Sequence, residues 1–227
     1  MSIFQNQISV YNGVTDNIGT TTSLGDFLFC KEYKGEIMKL REIANKDERN
    51  VIKRTLPQAT ISGVFSPTRA KNNLSQHSGL ICVDIDAKDN PEIKDWERLK
   101  QDLSVLPQIA YCALSVSGKG LFVIIPLRYP QKHLLQFRQL QMDFSKMGIV
   151  IDQACSDITR LRCLSYDEHP IISEDATLYK GVYVEKPKYH SFHPYLIYKG
   201  ENTLAEVAAC CRKINERGID ITTSYDD

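Results

Sequence analysis

The sequence lacks an excess of charge of either sign. Its 227 residues include 28 lysines and arginines and 28 aspartates and glutamates, so the formal net charge is zero. A protein that held nucleic acid mainly through bulk charge would be visibly basic, and a disordered chain would contain few hydrophobic residues. Hydrophobic residues make up 42% of this chain and charged residues 25%. The composition is therefore typical of a globular protein with an ordinary core.

Long apolar runs and paired cysteine motifs are also missing. No run approaches the roughly 18 residues that a membrane-spanning helix needs. The first residues show neither the basic segment nor the apolar segment of a signal peptide. The seven cysteines form no C-x-x-C motif, and several lie inside apolar runs, which is typical of reduced thiols. We therefore expect a cytoplasmic protein that does not associate with a membrane.

The order of apolar runs and amphipathic segments predicts an α+β fold. Runs at 79–86, 109–115 and 121–127 predict three strands, the last two joined by a turn. One helix is expected to open at Asn90-Pro91, with the asparagine as its cap, and a second to span the apolar positions from Phe137 to Met147. Two helices would then cover one face of the sheet in a split βαβ arrangement.

The remaining segments suggest the domain organisation. Residues 24–56 have helical spacing and are rich in lysine and arginine, so they form either a solvated helical surface or a local basic surface for nucleic acid. We expect one domain over residues 1–185, a linker over 186–202, and over 203–227 the start of a helical module that continues past the last residue given.

The first candidate for chemistry is Asp84-Ile85-Asp86, at the end of a buried strand. Strand periodicity places both carboxylates on one face. Because two acids at this point repel each other and lose hydration, a divalent cation would stabilise them, and hard oxygen ligands favour Mg²⁺ or Mn²⁺. The alternative is that the strand simply ends here and Asp86 begins a solvated acidic turn with Asp89 and Glu92.

The second candidate is the turn Ser115-Val-Ser-Gly-Lys-Gly120 between two apolar strands. Its small residues would let backbone N–H groups approach an anion, and Lys119 adds positive charge. It is not a P-loop, because it lacks the first glycine and runs into a strand instead of a helix. The alternative is a hairpin turn whose glycines only supply positive φ. The residues that would face a phosphate are Ser115, Ser117, Gly118 and Lys119.

The third candidate combines Asp152, which follows an apolar triplet as Asp84 does, with Arg160 and Arg162. The arginines are two residues apart, so on a strand they share one face, and paired guanidinium groups suit phosphate oxygens. The alternative is a structural ion pair with Asp152 or Asp157. Taken together, carboxylates for metals and cations for a triphosphate are what nucleotidyl transfer requires.

This three-part order resembles the primase-polymerase branch of the archaeo-eukaryotic primase superfamily, and most of all its VirE N-terminal type from Bacteroidetes mobile elements. The residues that carry the resemblance are 78–86, 113–122 and 152–166, with 56–65 upstream. The resemblance implies a primase palm, meaning an RRM-like sheet with helices on one face, beside an N-terminal α/β unit. It also implies Asp84, Asp86 and Asp152 as metal ligands for Mg²⁺ or Mn²⁺, with Ser117, Lys119, Arg160 and Arg162 near the phosphates.

The partners implied by the resemblance are a single-stranded DNA template, nucleoside triphosphates and a helicase-type module downstream. One residue departs from the family pattern, because Phe122 stands where active members usually carry a histidine that contacts the phosphates. The first hypothesis is a metal-dependent, primase-polymerase-like nucleotidyltransferase that makes or extends primers in mobile-element replication. The second is therefore a catalytically silent domain that binds nucleic acid or a protein partner beside an ATPase or helicase module. A D-x-D phosphohydrolase is disfavoured, since Ala87-Lys88 follows the acidic pair where such an enzyme carries threonine.

Overall fold

A computed structural model of the protein describes residues 2–185, and these residues form an α+β fold with three antiparallel sheets. The predicted linker (186–202) and the predicted helical module (203–227) lie outside the described residues. The helices are α1 (Leu24–Leu28), α2 (Lys34–Glu42), α3 (Lys46–Thr55), α4 (Trp96–Ser104) and α5 (His133–Lys146). The strands are β1 (Gln7–Tyr11), β2 (Thr20–Ser23), β3 (Gln58–Thr60), β4 (Gly63–Phe65), β5 (Leu74–His77), β6 (Leu80–Asp86), β7 (Tyr111–Leu114), β8 (Gly120–Pro126), β9 (Arg162–Cys163) and β10 (Ile171–Ile172).

The sheet that carries the acidic motif has the strand order β10-β7-β8-β6. Strand β8 pairs antiparallel with both β6 and β7, so these two run in the same direction with β8 between them. Helix α4 connects them, which confirms the split βαβ arrangement predicted from the sequence. The last strand, β10, pairs with β7. Strand β6 therefore forms one edge of the sheet.

Alternation along the strands produces two apolar cores, one on each face of this sheet. One face of β6 and β8 packs against α4 and α5, through strand residues such as Val83 and Val123 and helix residues such as Leu103 and Phe137. The other face joins the core of the N-terminal sheet, which has the order β2-β1-β3-β9. The predicted two-helix cover of one face is therefore confirmed. Residues 24–56 form three short helices, as their spacing indicated.

The predicted helix start at Asn90-Pro91 is wrong. Helix α4 begins at Trp96, and its cap is Asp95, whose carboxylate accepts the Arg98 N–H at 2.8 Å. Asn90 is instead fully buried. Its Nδ2 donates to the carbonyl oxygens of Asp86 at 3.0 Å and Val150 at 2.9 Å, and its Oδ1 accepts the Val150 N–H at 2.8 Å. A buried polar side chain needs such partners, and here they join the end of β6 to the segment that precedes Asp152.

Replacing Asn90 by alanine should therefore destabilise the fold strongly. The change leaves two carbonyl groups and one N–H group without their partner, which we expect to lower the free energy of unfolding by roughly 2–4 kcal/mol. Equilibrium unfolding in urea measures this. The control Asn50→Ala, at an exposed position of α3, should change the value by no more than about 0.5 kcal/mol. Equal stability of the two variants would contradict the role given to Asn90.

Candidate functional site

The acidic motif lies on one face of β6, as strand periodicity predicted. Val83 and Ile85 are fully buried against the helices, whereas Asp84 and Asp86 are half-buried on the opposite face together with Cys82. The cross-strand neighbours of the two aspartates on β8 are Phe122 and Gly120. The prediction that both carboxylates share a face is therefore confirmed.

Asp152 meets this face from a different part of the chain. Its N–H donates to the Asp84 carbonyl oxygen at 2.9 Å, which fixes the backbone of the segment after α5 against the edge strand β6. Its carboxylate caps a short 3-10 turn (Gln153–Ser156) by accepting the Ala154 N–H at 3.0 Å. Ligand atoms of Asp84, Asp152 and Cys155 all lie within 4.8 Å of one another. Two of the three predicted carboxylates therefore converge.

Asp86 is close to this group but does not share its ligand positions. Burial raises the pKa of its carboxyl above the ordinary value, and the charges of Asp84 and Asp152 raise it further. The negative charges of Asp84 and Asp152 therefore act on Asp86 and disfavour its ionised form. A carboxyl group whose ionised form is disfavoured by burial and by neighbouring charges is more typical of a functional site than of a purely structural one.

Each of the two converging carboxylates has an arginine partner. Arg162, on β9, donates its Nη1 to Asp84, and the charge of Asp84 keeps the pKa of the buried guanidinium raised in spite of burial. Arg160 donates its Nη2 to Asp152 Oδ2 at 3.0 Å. The structural ion pair that the sequence left open is therefore present for Arg160, while the partner of Arg162 is Asp84.

The two arginines differ in exposure. The Arg162 side chain is only 10% exposed, and its guanidinium carbon lies 4.7 Å from the centroid of the Phe122 ring. The Arg160 side chain is 46% exposed. Arg162 is therefore enclosed between an aspartate and an aromatic face. Arg160 is the one of the two that a ligand can reach from solvent.

The predicted phosphate turn lies beside the end of β6, because Gly120 pairs with Asp86. Its glycines are required by the backbone. Gly118 has φ +68°, and a Cβ on Gly120 (φ +148°) would lie 2.4 Å from the Ile85 carbonyl oxygen. The turn therefore meets the demands of a tight hairpin, which was the alternative interpretation. Lys119 is exposed, and the Ser115 and Ser117 hydroxyl oxygens lie 3.3 Å apart.

The sequence did not point to the residue that holds this turn. Arg41, on α2, donates its Nη2 to the carbonyl oxygens of Ser115 at 3.1 Å and Tyr166 at 2.6 Å, and its Nε to that of Val116 at 3.3 Å. Burial lowers the pKa of this guanidinium. The only signal for Arg41 was its place in the basic segment, which gives no indication of a partner so distant in sequence.

Lys53, on α3, is a second basic residue that the sequence did not single out. Burial lowers the pKa of its ammonium group, and the charges of Arg162 and Asp86 act on it as well. Lys53 is therefore a residue of the basic segment that lies within electrostatic range of Asp86. Its charge adds to that of the two arginines near the carboxylates.

A divalent cation fits the donor set in part. Asp84 and Asp152 offer hard carboxylate oxygens at suitable separation, and Asp86 lies nearby. The third member, Cys155, is buried, and burial raises the pKa of its thiol, which keeps it protonated near neutral pH. A neutral thiol is a poor ligand for Mg²⁺ or Mn²⁺. The carboxylates would therefore hold the metal.

A model of one protein family, the BT4734-like N-terminal domain, matches residues 51–171. This chain belongs to that family. The match includes the acidic motif, the turn, Asp152 and both arginines, whereas Arg41 lies before it. No curated protein and no solved structure matches the BT4734-like chain. Within residues 2–185, none of its helices has the length and apolar character needed to cross a membrane.

Removing the charge of Asp86 should stabilise this BT4734-like domain near neutral pH. The folded-state pKa of Asp86 lies above the unfolded value, so its ionisation favours unfolding. This penalty is absent below the unfolded pKa and complete above the folded one. Asp86→Asn should therefore raise the thermal unfolding midpoint at pH 7, and the gain should shrink as the pH approaches about 3.

The control for this measurement is Asp175→Asn, at an exposed position outside the cluster. We expect it to leave the midpoint unchanged at both pH values. A lower midpoint for Asp86→Asn at pH 7 would show that Asp86 is held by attractive contacts, contrary to the repulsion described above.

Proposed function

We propose that the domain is a primase-polymerase-like nucleotidyltransferase that extends or begins a primer on a single-stranded DNA template, with Mg²⁺ or Mn²⁺ as cofactor. The observation that carries the proposal is the convergence of Asp84 and Asp152, which come from separate elements of the chain. Residues so distant in sequence lie together here at the end of the edge strand β6, next to a small-residue turn.

The roles proposed for the side chains follow from their positions. Asp84 and Asp152 would bind the cation, with Asp86 beside them. A divalent cation held there would offset the charge of the triphosphate and orient it. The Ser115–Gly120 turn would receive the phosphates, with Lys119 exposed at its tip. Arg160 is reachable from solvent and would exchange its bond to Asp152 for a phosphate oxygen, whereas enclosed Arg162 would keep Asp84 in place.

The finer fold assignment belongs to the same proposal. The split βαβ unit with helices on one face supports an RRM-like primase palm, and the N-terminal sheet with α1–α3 would be the α/β unit beside it. One feature differs from a regular βαββαβ sheet, because β10 lies beside β7 and leaves the edge of β6 to the Asp152 segment. The downstream helicase-type module and the cytoplasmic location stay predictions.

A catalytically silent domain is the second candidate, and Phe122 is the observation that favours it. Its side chain is only 2% exposed. The ring lies 5.5 Å from that of Tyr111 and supports the Arg162 guanidinium on its face. Position 122 therefore belongs to the core and offers no hydrogen-bond donor to a phosphate. Such a domain would bind nucleic acid or a partner without polymerising nucleotides.

Primer synthesis and extension on a labelled single-stranded template, in Mn²⁺ or Mg²⁺, decide between the two. We expect product from the natural chain and none from Asp84→Ala/Asp86→Ala, because the variant removes one proposed ligand of the cation and the negative charge beside it. Asp102→Asn, at an exposed position of α4, serves as the control and should retain activity. If no product forms while the labelled strand still binds, the polymerase proposal fails and the silent domain is supported.

A further inference from the structure

Two histidines form a pair outside the acidic site. His77 ends β5, and His133 begins α5. The Nε2 atom of His77 lies 3.2 Å from Nδ1 of His133, and the ring centroids are 5.3 Å apart. Neither residue was singled out from the sequence, because 56 positions separate them.

The hydrogen-bond partners fix which nitrogens carry protons. The Gly79 N–H donates to Nδ1 of His77 at 2.9 Å, so this nitrogen is an acceptor and the proton of neutral His77 is on Nε2. The His77 Nε2–H then donates to Nδ1 of His133, which must also be an acceptor. The proton of neutral His133 is therefore on its Nε2. The tautomers are inferred from this chain of bonds.

His133 Nε2–H is a buried donor without an acceptor. The residue is only 6% exposed, and the Nε2 atom has no hydrogen-bond partner within residues 2–185. Burial lowers the pKa of His133 to about 4, and the neighbouring His77 lowers it as well. The ring is therefore neutral at pH 7 and keeps the tautomer given above. A buried N–H group that lacks an acceptor is costly, which points to a ligand that supplies one.

His133 lines a pocket of about 530 Å³ whose other polar residues carry mainly positive charge. Lys71 and Lys132 lie on its wall together with Ser156 and a single acid, Asp157. Lys71 Nζ lies 3.2 Å from Asp157 Oδ2, so the one negative charge is offset. The described wall therefore presents a net positive charge, a hydroxyl group and a buried N–H donor, which is the chemistry that binds a phosphate oxygen.

This pocket adjoins a second one that leads toward the acidic site. The second pocket, of about 640 Å³, shares Ser156 and Asp157 with the first and is lined by Arg69 and Arg160 as well. Arg160 contacts Asp152 in the acidic site. Basic side chains therefore follow one another from the carboxylates to His133. A ligand with regularly spaced phosphates fits such a row better than a single small anion does.

We propose that the pocket at the start of α5 binds a backbone phosphate of the nucleic-acid strand that occupies the acidic site, with His133 Nε2–H as donor and Lys132 as the positive charge that Asp157 does not offset. The identity of the strand rests on the proposed function, but the pocket requires no polymerisation. A strand would thus be gripped at a point separate from the site of chemistry.

Binding of a labelled single-stranded DNA oligonucleotide, followed by fluorescence anisotropy over a range of salt concentrations, tests this. His133→Phe keeps a ring and removes both nitrogens, and we expect about tenfold weaker binding, the effect of one hydrogen bond to a charged group. Lys132→Gln should weaken binding and reduce the slope of log affinity against log salt by about one. The control Lys146→Gln makes the same charge change at the other end of α5 and should alter neither quantity.

Two further measurements complete the test. His133→Gln retains an N–H donor near the Nε2 position and should bind more tightly than His133→Phe. If thermal unfolding shows that His133→Phe is not folded, the affinities of His133→Gln and Lys132→Gln test the proposal in its place. Natural affinity in His133→Phe and Lys132→Gln alike would overturn the proposal.

Binding of inorganic phosphate, followed by ³¹P NMR, distinguishes a phosphate of the strand from a free phosphate ion. If His133→Phe loses phosphate binding but keeps its affinity for the strand, the pocket binds a free anion, and the proposal that it binds the strand is overturned.

Failure of the proposed function gives a different result from failure of this inference. Absence of primer synthesis together with strand binding that depends on His133 would remove the polymerase activity and support the pocket. Primer synthesis together with strand binding that does not depend on His133 or Lys132 would support the polymerase activity and overturn the pocket.

Discussion

The acidic site depends on the attachment of residues 150–152 to the end of β6. Asn90 makes three hydrogen bonds between the two segments, and the Asp152 N–H donates to the Asp84 carbonyl oxygen. Because β6 is an edge strand, its outer side is open to this segment. Without the attachment, the second carboxylate would have no fixed position beside Asp84. The buried asparagine is thus a structural residue whose effect is to assemble the site.

The attachment brings negative charges together, and the rest of the site compensates for them. Arg162 pairs with Asp84 and Arg160 with Asp152. The pKa of Asp86 stays raised because its carboxyl is partly buried and lies near the charges of Asp84 and Asp152. The zero net charge of the chain therefore averages strong local charges of both signs. Basic residues from α3, β9 and the segment that precedes β9 lie near an acidic centre. This distribution suits an anionic substrate that approaches a cation.

Local patterns made much of this predictable. The strand that carries Asp84 and Asp86, their common face, the small-residue turn and the helices on one face of the sheet all follow from periodicity and glycine positions. Asn90 followed by proline resembled a helix start, because the capping signal is local. In the structure the Asn90 side chain is buried instead, and it forms hydrogen bonds to Val150, which is far away in sequence. Arg41 and the pair of His77 and His133 act on partners far away in sequence. No short-range pattern encodes such contacts, so the sequence could not indicate them.

The most direct test of the central claim is a titration with Mn²⁺ followed by electron paramagnetic resonance, which measures bound metal whether or not the protein is active. We expect saturable binding by the natural chain, strongly weakened binding by Asp84→Asn and by Asp152→Asn, and unchanged binding by Asp102→Asn. Both of the first two variants should bind weakly, since each removes one of the two converging carboxylates. No saturable binding, or binding that survives both substitutions, would contradict the claim that Asp84 and Asp152 form a metal site.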